Sequence, residues 1–313
     1  MLVIILRRIL ISVPLLFLTS VITFVLQAFI PGDAARAIVG IGGSTENYER
    51  VRQTLHLDLP LYEQYARYIG RAIHGDLGHS IFSGEPVAQT LATRAPVTLS
   101  LLIGATLLCA VVGILLGVVS AKGSGWRARV VDVLSLLGLA LPNFWLALLL
   151  ISAFAIALPL LPAIGYTPFT ASPLSWGASL VLPVVALSLG GIAQIAKITR
   201  DGLADAMQQD YIRTLRAAGV SEASLVWKHA LKNSGVTIVT VLGLGFIGAL
   251  SGSLFVENVF VLPGLGSLVN DATNQHDVPV IQGVALAYTL IVIVVNLLVD
   301  ICYATLNPRV RTS

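Results

Sequence analysis

Six apolar segments dominate this sequence, and each is long enough to cross a lipid bilayer. A span needs about 20 apolar residues, because a helix rises about 1.5 Å per residue through ~30 Å of hydrocarbon. Of the 313 residues, 56% are hydrophobic and 11% are charged, whereas a soluble domain has about 25% charged residues. The sequence therefore predicts an all-α integral membrane protein with six transmembrane helices, at Ile9–Ile30, Val97–Ala121, Val131–Leu158, Ala178–Ile198, Gly235–Val256 and Val280–Tyr303.

Lys and Arg are distributed unevenly over the loops, and this distribution predicts the orientation. Short cytoplasmic loops carry an excess of Lys and Arg, whereas long translocated loops escape the rule. With a cytoplasmic N-terminus, most of the 19 Lys and Arg residues fall on the inner side, and the rest lie in the long first loop, Pro31–Pro96. The two other outer loops contain neither residue type. We therefore expect both termini and the loop at about residues 200–234 to lie in the cytoplasm.

The long first loop is expected to fold. Helical periodicity covers Glu46–Leu55 and Leu61–Ile73. On the second stretch, Tyr62, Tyr65 and Tyr68 recur at three-residue spacing and form one aromatic face. Two interpretations stay open: this face packs on the membrane domain, or it docks a partner outside the membrane. The predicted organisation is an N-terminal segment with the first span, an extracytoplasmic subdomain and a five-helix core, over residues 1–30, 31–96 and 97–313.

A basic segment, RTLRAAGVSEASLVWKHALKNS at residues 213–234, separates the fourth and fifth predicted spans. Asp210–Ala218 is compatible with a helix that ends at Gly219, because glycine commonly follows a helix C-terminus. Ser221 can cap a second short helix, and Glu222 lies in its first turn, where the helix dipole favours an acid. Such a pair of helices fits either an interfacial element on anionic lipid or a docking element for a cytoplasmic protein.

Polar and small residues within the spans indicate where a pathway could pass. Asn143 follows Pro142 in the third span, and a proline there is expected to kink the helix. The fifth span contains Gly248 and Gly252 among other small residues, which let helices approach closely or leave a smooth face along a pathway. For both features, packing and pathway lining remain open.

The segment ENVFVLPGLGSLVNDA follows the fifth span on the outer side. Irregular backbone at membrane depth is tolerated only where it is buried in protein or lines an aqueous cavity. We therefore expect Phe260, Leu262 and Leu265 to face inward as a hydrophobic plug over the outer mouth of a pathway. The alternative is a surface hairpin whose apolar side chains lie in the lipid interface.

The sequence lacks the motifs of common enzymes. It contains no G-x4-G-K-S/T phosphate loop, no H-E-x-x-H metal motif, no C-x2-C pair and no G-x-S-x-G nucleophile motif. We therefore predict no catalytic residue, no metal site and no cofactor in this chain. The net charge of +3 is spread along the chain without a dense basic tract, which argues against nucleic acid as a partner.

The pattern of helix, glycine and helix resembles the coupling loop of ABC importer permeases, usually written E-A-A, three residues, G, nine residues, I-x-L-P. Gly219 matches the glycine of that pattern and Leu231 matches its leucine, whereas the letters RTL at residues 213–215 stand where E-A-A would. His229 and Lys232 replace the isoleucine and the proline. The form DYIRTLRAAGVS followed by WKHALKNS is similar to that of dipeptide, oligopeptide and nickel importers.

Further matches follow in register with the six spans, and together they resemble the B-type inner-membrane permease of bacterial peptide ABC importers. They are IILRRIL at the start, IPGD at Ile30–Asp33, LHLDLPLYEQY at Leu55–Tyr65, GDLGHS at Gly75–Ser80, ALPNFWLALLL at Ala140–Leu150, FVENVFVLPGLGSLVNDA at Phe255–Ala272 and VNLLVDICYATLNPRVR at Val295–Arg311.

This resemblance implies a type I ABC importer permease fold, also called MetI-like, in the bacterial inner membrane. It implies a second homologous permease, two cytoplasmic ATPase subunits that carry ATP and Mg, and an extracytoplasmic substrate-binding protein; membrane lipid is a further expected partner. The chain itself is then no enzyme but half of the translocation pathway for peptides. Coupling to the ATPase is expected at Arg213, Arg216, Ala217, Ala218, Gly219, Ser221, Glu222, Trp227, His229 and Leu231.

Two alternative functions stay open. The nearer one is a permease for nickel or another small solute with the same architecture. The more distant one is an ion-driven secondary transporter, which would need an intramembrane carboxylate relay or broken helices near the midplane. The acidic residues of this sequence are not placed for such a relay.

Overall fold

The computed structural model describes residues 2–27, 29, 34–40, 44–122, 129, 132–133, 138 and 140–306. Within these ranges the regular structure is helical, apart from an isolated antiparallel bridge between His79 and Pro86. The all-α prediction is therefore confirmed over these ranges. The helices are α1 (Leu2–Gln27), α2 (Ala34–Val39), α3 (Thr45–Thr54), α4 (Leu61–Ala72), α5 (Val87–Lys122), α6 (Asn143–Ala157), α7 (Pro173–Met207), α8 (Asp210–Ala217), α9 (Glu222–Phe260), α10 (Leu265–Gln275) and α11 (Val278–Leu306).

Five of the described helices, α1, α5, α7, α9 and α11, are long and apolar enough to cross a membrane. They confirm the first, second, fourth, fifth and sixth predicted spans. The third predicted span, Val131–Leu158, lies only partly within the described residues, where it contains the shorter apolar helix α6. The motif at Ile30–Asp33, the end of the last motif at residues 307–311 and most of the short loop at residues 122–129 lie outside the described residues.

Two prolines behave differently from the sequence expectation. Helix α5 begins at Val87 and runs through Pro96, so it starts well before the predicted Val97. A proline is tolerated inside a membrane helix when neighbouring groups satisfy the backbone positions that it leaves free. Pro142 has φ −65° and ψ 139°, so it precedes α6 in an extended conformation and does not kink a continuous helix. Its missing N–H costs little there, because the first amides of a helix have no intrahelical acceptor.

The chain folds into two compact units, and the larger one contains Leu99–Leu262 and the last part of α11. In this unit α7 packs against both α6 and α9. Helices α5 and α7 approach closely, since a β-carbon on Gly117 would lie only 2.5 Å from Thr199 Cβ and Gly113 is similarly restricted. The four-residue spacing of these two glycines is typical of close helix crossings in membranes.

The smaller unit contains Leu6–Thr98 and Pro263–Ile293. Its helix α4 packs on α1 through aromatic side chains: the hydroxyls of Tyr65 and Ser20 are hydrogen-bonded at 2.9 Å, and the ring centroids of Phe24 and Tyr65 are 5.4 Å apart. A separate apolar cluster joins α5, α10 and α11 through Val87, Leu91, Leu265, Ala272, Val280 and Val284.

Asp277 holds the loop after α4 against the start of α11. Its buried carboxylate accepts a hydrogen bond from the Ser80 hydroxyl, with Oγ 2.5 Å from Oδ2, and one from the Ile81 amide, with N 3.3 Å from Oδ1. The Ser80 oxygen in turn accepts from the amides of Phe82 and Ser83 at 3.3 and 3.1 Å. These bonds offset the large cost of burying a carboxylate.

We predict that Asp277→Ala destabilises the protein, because the Ser80 hydroxyl and the Ile81 amide lose their acceptor. A hydrogen bond to a charged group contributes about 1.5–3 kcal/mol, so the unfolding temperature of the purified protein in detergent should fall clearly. Asp271→Ala, at an exposed position of α10, is the control. Equal unfolding temperatures for the two variants would contradict this role of Asp277.

Candidate functional site

A cavity of about 370 Å³ lies among α5, α6, α7 and α9 in the larger unit. Among the described residues no charged side chain lines it, and its polar side chains are those of Thr106, Cys109, Asn143 and Gln194. A volume of this order suits a small ligand, since ligand sites in proteins measure about 300–1,000 Å³. Much of the remaining wall consists of residues with little or no side chain: Ala105, Gly138, Gly190, Gly191, Gly245, Gly248 and Ala249.

The glycines of α9 have different surroundings. A β-carbon on Gly243 would lie 2.6 Å from Val299 Cγ2, and one on Gly252 would lie 2.9 Å from Asn143 Nδ2, so both glycines allow close packing. A β-carbon on Gly248 would meet no atom within 4 Å, and Gly248 lines the cavity. Close packing therefore accounts for Gly243 and Gly252, and whether the cavity at Gly248 belongs to a pathway stays a prediction.

Asn143 and Gly248 were predicted from the sequence, and the structure brings them to one cavity. Gly252 lies beside Asn143 without lining the cavity itself. Gln194 was not predicted as a site residue, although an amide side chain within an apolar span is a signal that could have identified it. The amides of Asn143 and Gln194 can donate and accept hydrogen bonds, so the cavity suits a polar ligand without requiring it to carry a particular charge.

Gly219 ends α8 in the left-handed conformation, with φ +81°. The amide of Val220 donates to the carbonyl of Leu215 at 3.1 Å, and the amide of Gly219 donates to the carbonyl of Arg216 at 3.1 Å. This pair of bonds is the Schellman motif, in which glycine avoids the clash of a β-carbon with the backbone. A β-carbon on Gly219 would meet no atom outside its own neighbours within 4 Å. The backbone conformation, and not close packing, therefore requires the glycine.

The turn after Gly219 is fixed by a cap and an ion pair. Ser221 caps the next helix by accepting a hydrogen bond from the Ser224 amide at 3.4 Å, as the sequence predicted. Across the turn, Arg216 Nε lies 2.5 Å from Glu222 Oε1, and Arg216 Nη2 lies 3.3 Å from Glu222 Oε2. This hydrogen bond raises the pKa of Arg216, which keeps the guanidinium charged. The ion pair thus links the end of α8 to the start of α9 across the turn.

The second helix predicted after Gly219 is not a separate short helix, which corrects the sequence expectation. Glu222–Phe260 is continuous, with a π-helical stretch at Leu225–Ala230. The apolar side of that stretch continues the buried side of the span, because Leu225, Val226 and Ala230 are all buried. A π-helical turn inserts one extra residue into a helix without ending it. The exposed segment and the cavity-lining part of α9 therefore belong to one helix.

The predicted coupling residues form a surface on a buried base. Val226 and Ala230 pack against Val118 of α5 and against Leu203 and Ala206 of α7, all within the larger unit. The sequence analysis did not predict that these side chains are buried. Apolar residues at helical spacing within a basic segment could have indicated it. His229 and Leu231 are half-buried. The remaining predicted positions are exposed: Arg213, Arg216, Ala217, Ala218, Gly219, Ser221, Glu222 and Trp227.

The predicted plug residues are buried and do not lie on a surface hairpin. Phe260 and Leu262 belong to the larger unit, where the carbonyl of Phe260 accepts a hydrogen bond from the Gly165 amide at 2.8 Å. Leu265 belongs to the smaller unit, where its amide donates to the Thr98 hydroxyl at 2.8 Å. None of the three plug residues lines the cavity at Asn143. Whether they gate a pathway stays a prediction.

The three tyrosines of the first loop have different surroundings. Tyr62 is 71% exposed, whereas Tyr68 is 6% exposed and packs on Phe24 with ring centroids 6.4 Å apart. Burial raises the pKa of Tyr68 to about 12, so its hydroxyl stays protonated at neutral pH. Tyr65 also packs on α1. Packing therefore accounts for Tyr65 and Tyr68, and Tyr62 alone of the three remains open for docking.

Comparison with protein families matches nearly the whole chain. Residues 113–312 match the family described as the inner membrane component of binding-protein-dependent transport systems, and residues 1–102 match the N-terminal region of such membrane components. A protein of Brucella abortus, provisionally named a peptide transport system permease, is 42% identical over 308 residues, which is 98% of each chain. The glutathione transport system permease protein GsiC of Escherichia coli is 40% identical over 311 residues, again 98% of each chain.

Among solved structures, a chain of the methionine ABC transporter MetNI in inward-facing conformations is similar, with a TM-score of 0.57. The likeness covers 70% of this chain and 97% of that chain, at 18% sequence identity. At this identity the likeness shows a shared fold.

We predict that Gly252→Ala destabilises the protein, because the new β-carbon would lie 2.9 Å from Asn143 Nδ2 and 3.3 Å from Leu187 Cδ1. Both atoms are side-chain ends that can move, so the cost should lie near the low end of the about 1–3 kcal/mol that overpacking typically costs. Gly248→Ala is the matched control, since its β-carbon enters open space. Thermal unfolding of both variants measures the difference, and adding Asn143→Ala should restore part of the stability of Gly252→Ala. No rescue by Asn143→Ala would contradict the contact.

Proposed function

Because this chain belongs to the family of inner membrane components of binding-protein-dependent transport systems, we propose that it forms half of the translocation pathway of an ATP-driven importer of short peptides. Its fold is the MetI-like fold of type I ABC importer permeases. Relatives named for peptide and glutathione transport support the peptide class. The observation that carries the pathway proposal is the uncharged cavity built from Asn143, Gln194 and the open glycine face of α9.

The lining of this cavity explains how one pathway could serve varied peptides. Glycine and alanine leave room without selecting for a side chain, and two amides pair with the peptide groups that all peptides share. A divalent metal ion would prefer carboxylate, imidazole or several thiolates as ligands. Among the described residues, the cavity offers one thiol, that of Cys109, which donates to the carbonyl of Ser188 at 3.3 Å. This chemistry favours peptide over nickel.

The exposed surface around Gly219 is the proposed contact for a cytoplasmic ATPase subunit. A short helix that presents charged and aromatic side chains on a buried base fits a groove on a partner. Arg213 and Arg216 supply guanidinium donors, each beside an acid of its own helix turn or of the next helix, and Trp227 supplies an apolar anchor. Aromatic and arginine side chains carry much of the binding energy at protein interfaces. The ATPase would bind ATP and Mg, and its closure would move α9 directly.

The remaining parts of the proposal follow from the family and the charge distribution. A second permease completes the pathway, two ATPase subunits drive it, and an extracytoplasmic binding protein delivers the substrate. The chain lies in the bacterial inner membrane with both termini in the cytoplasm, because Lys and Arg concentrate on that side. Affinity purification from the native membrane, with mass spectrometry of the companions, tests this assembly. Isolation without any ATPase or binding protein would contradict it.

We predict that Gly219→Val weakens the hold on the ATPase, because a β-branched residue is strongly disfavoured at φ +81°. The variant should insert normally and recover less ATPase on pull-down. Gly219→Asn is the matched control, since asparagine tolerates the left-handed conformation and should keep most of the binding. Equal recovery with the Val and Asn variants would contradict the proposed role of the turn.

We predict that Tyr62→Ala lowers the stimulation of ATP hydrolysis by the binding protein without lowering thermal stability, because the side chain is exposed. Tyr68→Ala should instead lower the unfolding temperature, since it removes a buried ring from the contact with α1. ATPase assays on the assembled complex, with and without the binding protein, measure the first effect. Full stimulation of the Tyr62→Ala complex would assign the loop to structure alone.

A further inference from the structure

A second cavity, of about 450 Å³, lies within the smaller unit. It is bounded by α1, the end of α3, α4, the loop after α4 and the start of α11. It shares no lining residue with the cavity at Asn143. Its chemistry is also different, because charged side chains line its wall.

The lining of this cavity includes two buried polar side chains that have no partner among the described residues. Gln282 is 0% exposed, and neither its Nε2 nor its Oε1 forms a hydrogen bond within the described part of the chain. The hydroxyl of Tyr68 is likewise buried and unpartnered there. Both residues line the cavity. Buried polar groups in proteins are nearly always hydrogen-bonded, so these groups point to a polar ligand in the cavity.

The wall of the cavity is positively charged. Arg67 and Arg71 lie four residues apart on one face of α4, both are exposed, and both line the cavity. Neither forms an ion pair with another described residue. His56 and His79 also line the cavity, and among the described residues no acidic side chain does. Arginine pairs strongly with carboxylate, so the ligand should carry a negative charge.

The unpartnered amide narrows the class of ligand further. Gln282 offers both an acceptor oxygen and a donor N–H₂, which together match the N–H and the carbonyl of a peptide group. Phe24, Ile81 and Val278 add an apolar side to the wall. We propose that this cavity binds the C-terminal end of a short peptide, with its carboxylate at Arg67 and Arg71 and its last peptide group at Gln282 and Tyr68. The choice of a peptide over other acids that contain an amide group rests on the proposed function.

Binding of trialanine to the purified full chain, measured by calorimetry in detergent, tests the proposal. Trialanine with a free carboxylate should bind roughly tenfold more tightly than its C-terminal amide, a difference of about 1.4 kcal/mol. Arg71→Gln and Gln282→Leu should each weaken binding of the free acid by a similar factor. Gln282→Leu should keep or raise the unfolding temperature, because it removes an unsatisfied buried group.

The matched control is Arg50→Gln, which changes an exposed arginine of α3 that pairs with Glu46 and lies outside the cavity. It should leave binding unchanged. Equal affinities for the acid and the amide, or unchanged binding in both cavity variants, would overturn the proposal. Retention of phosphatidylglycerol by the wild type but not by Arg71→Gln, without any peptide binding, would assign the arginines to a lipid headgroup and also overturn it.

Transport by the assembled complex is measured separately, so that the two proposals fail independently. Transport of trialanine with no binding at this cavity would overturn the present inference and leave the pathway proposal standing. Binding at this cavity by a complex that transports no peptide would overturn the pathway proposal alone.

Discussion

The need to satisfy every backbone hydrogen bond away from water governs this protein. In hydrocarbon an unpaired N–H or C=O group costs several kcal/mol, so the chain crosses as helices whose bonds are internal. The described spans follow this rule, and regular α-helix is interrupted only locally. Examples are the extended Pro142 before α6, the left-handed turn at Gly219 and the left-handed Val261 at the end of α9. Asn143 lies beside one of these interruptions, and the exposed residues around Gly219 lie beside another.

The sequence predicted what depends on local chemistry. The lengths of the apolar segments predicted five of the spans. A glycine predicted that α8 ends next to Gly219, and a serine predicted the helix cap at Ser221. It did not predict the start of α5 at Val87, because a proline ends a helix only when nothing else supports it. It also missed the continuity of α9, since the π-helical stretch depends on burying Leu225, Val226 and Ala230 against α5 and α7.

The neighbours of each residue were the harder part of the site to predict. Gly248 and Gly252 lie four residues apart and so on nearly the same side of α9, yet only Gly252 has other atoms within 4 Å of its β-carbon position. Only the packing of α9 against α6 decides that Gly252 meets Asn143 while Gly248 faces open space. The same holds for the tyrosines of α4, where contact with α1 separates Tyr68 from Tyr62. Side-chain chemistry can thus be read from sequence, but its direction requires the partner helix.

The continuity of α9 has a mechanical consequence. A helix of 39 residues forms a rod of about 58 Å at about 1.5 Å per residue. If such a rod pivots near one end, a tilt of about 10° carries the other end through about 10 Å, which is roughly one helix diameter. A small tilt imposed close to the pivot, for example at the exposed start of α9, would therefore become a large displacement at the far end of the helix. Softening the π-helical stretch at Leu225–Ala230 would let the helix bend there and reduce that displacement.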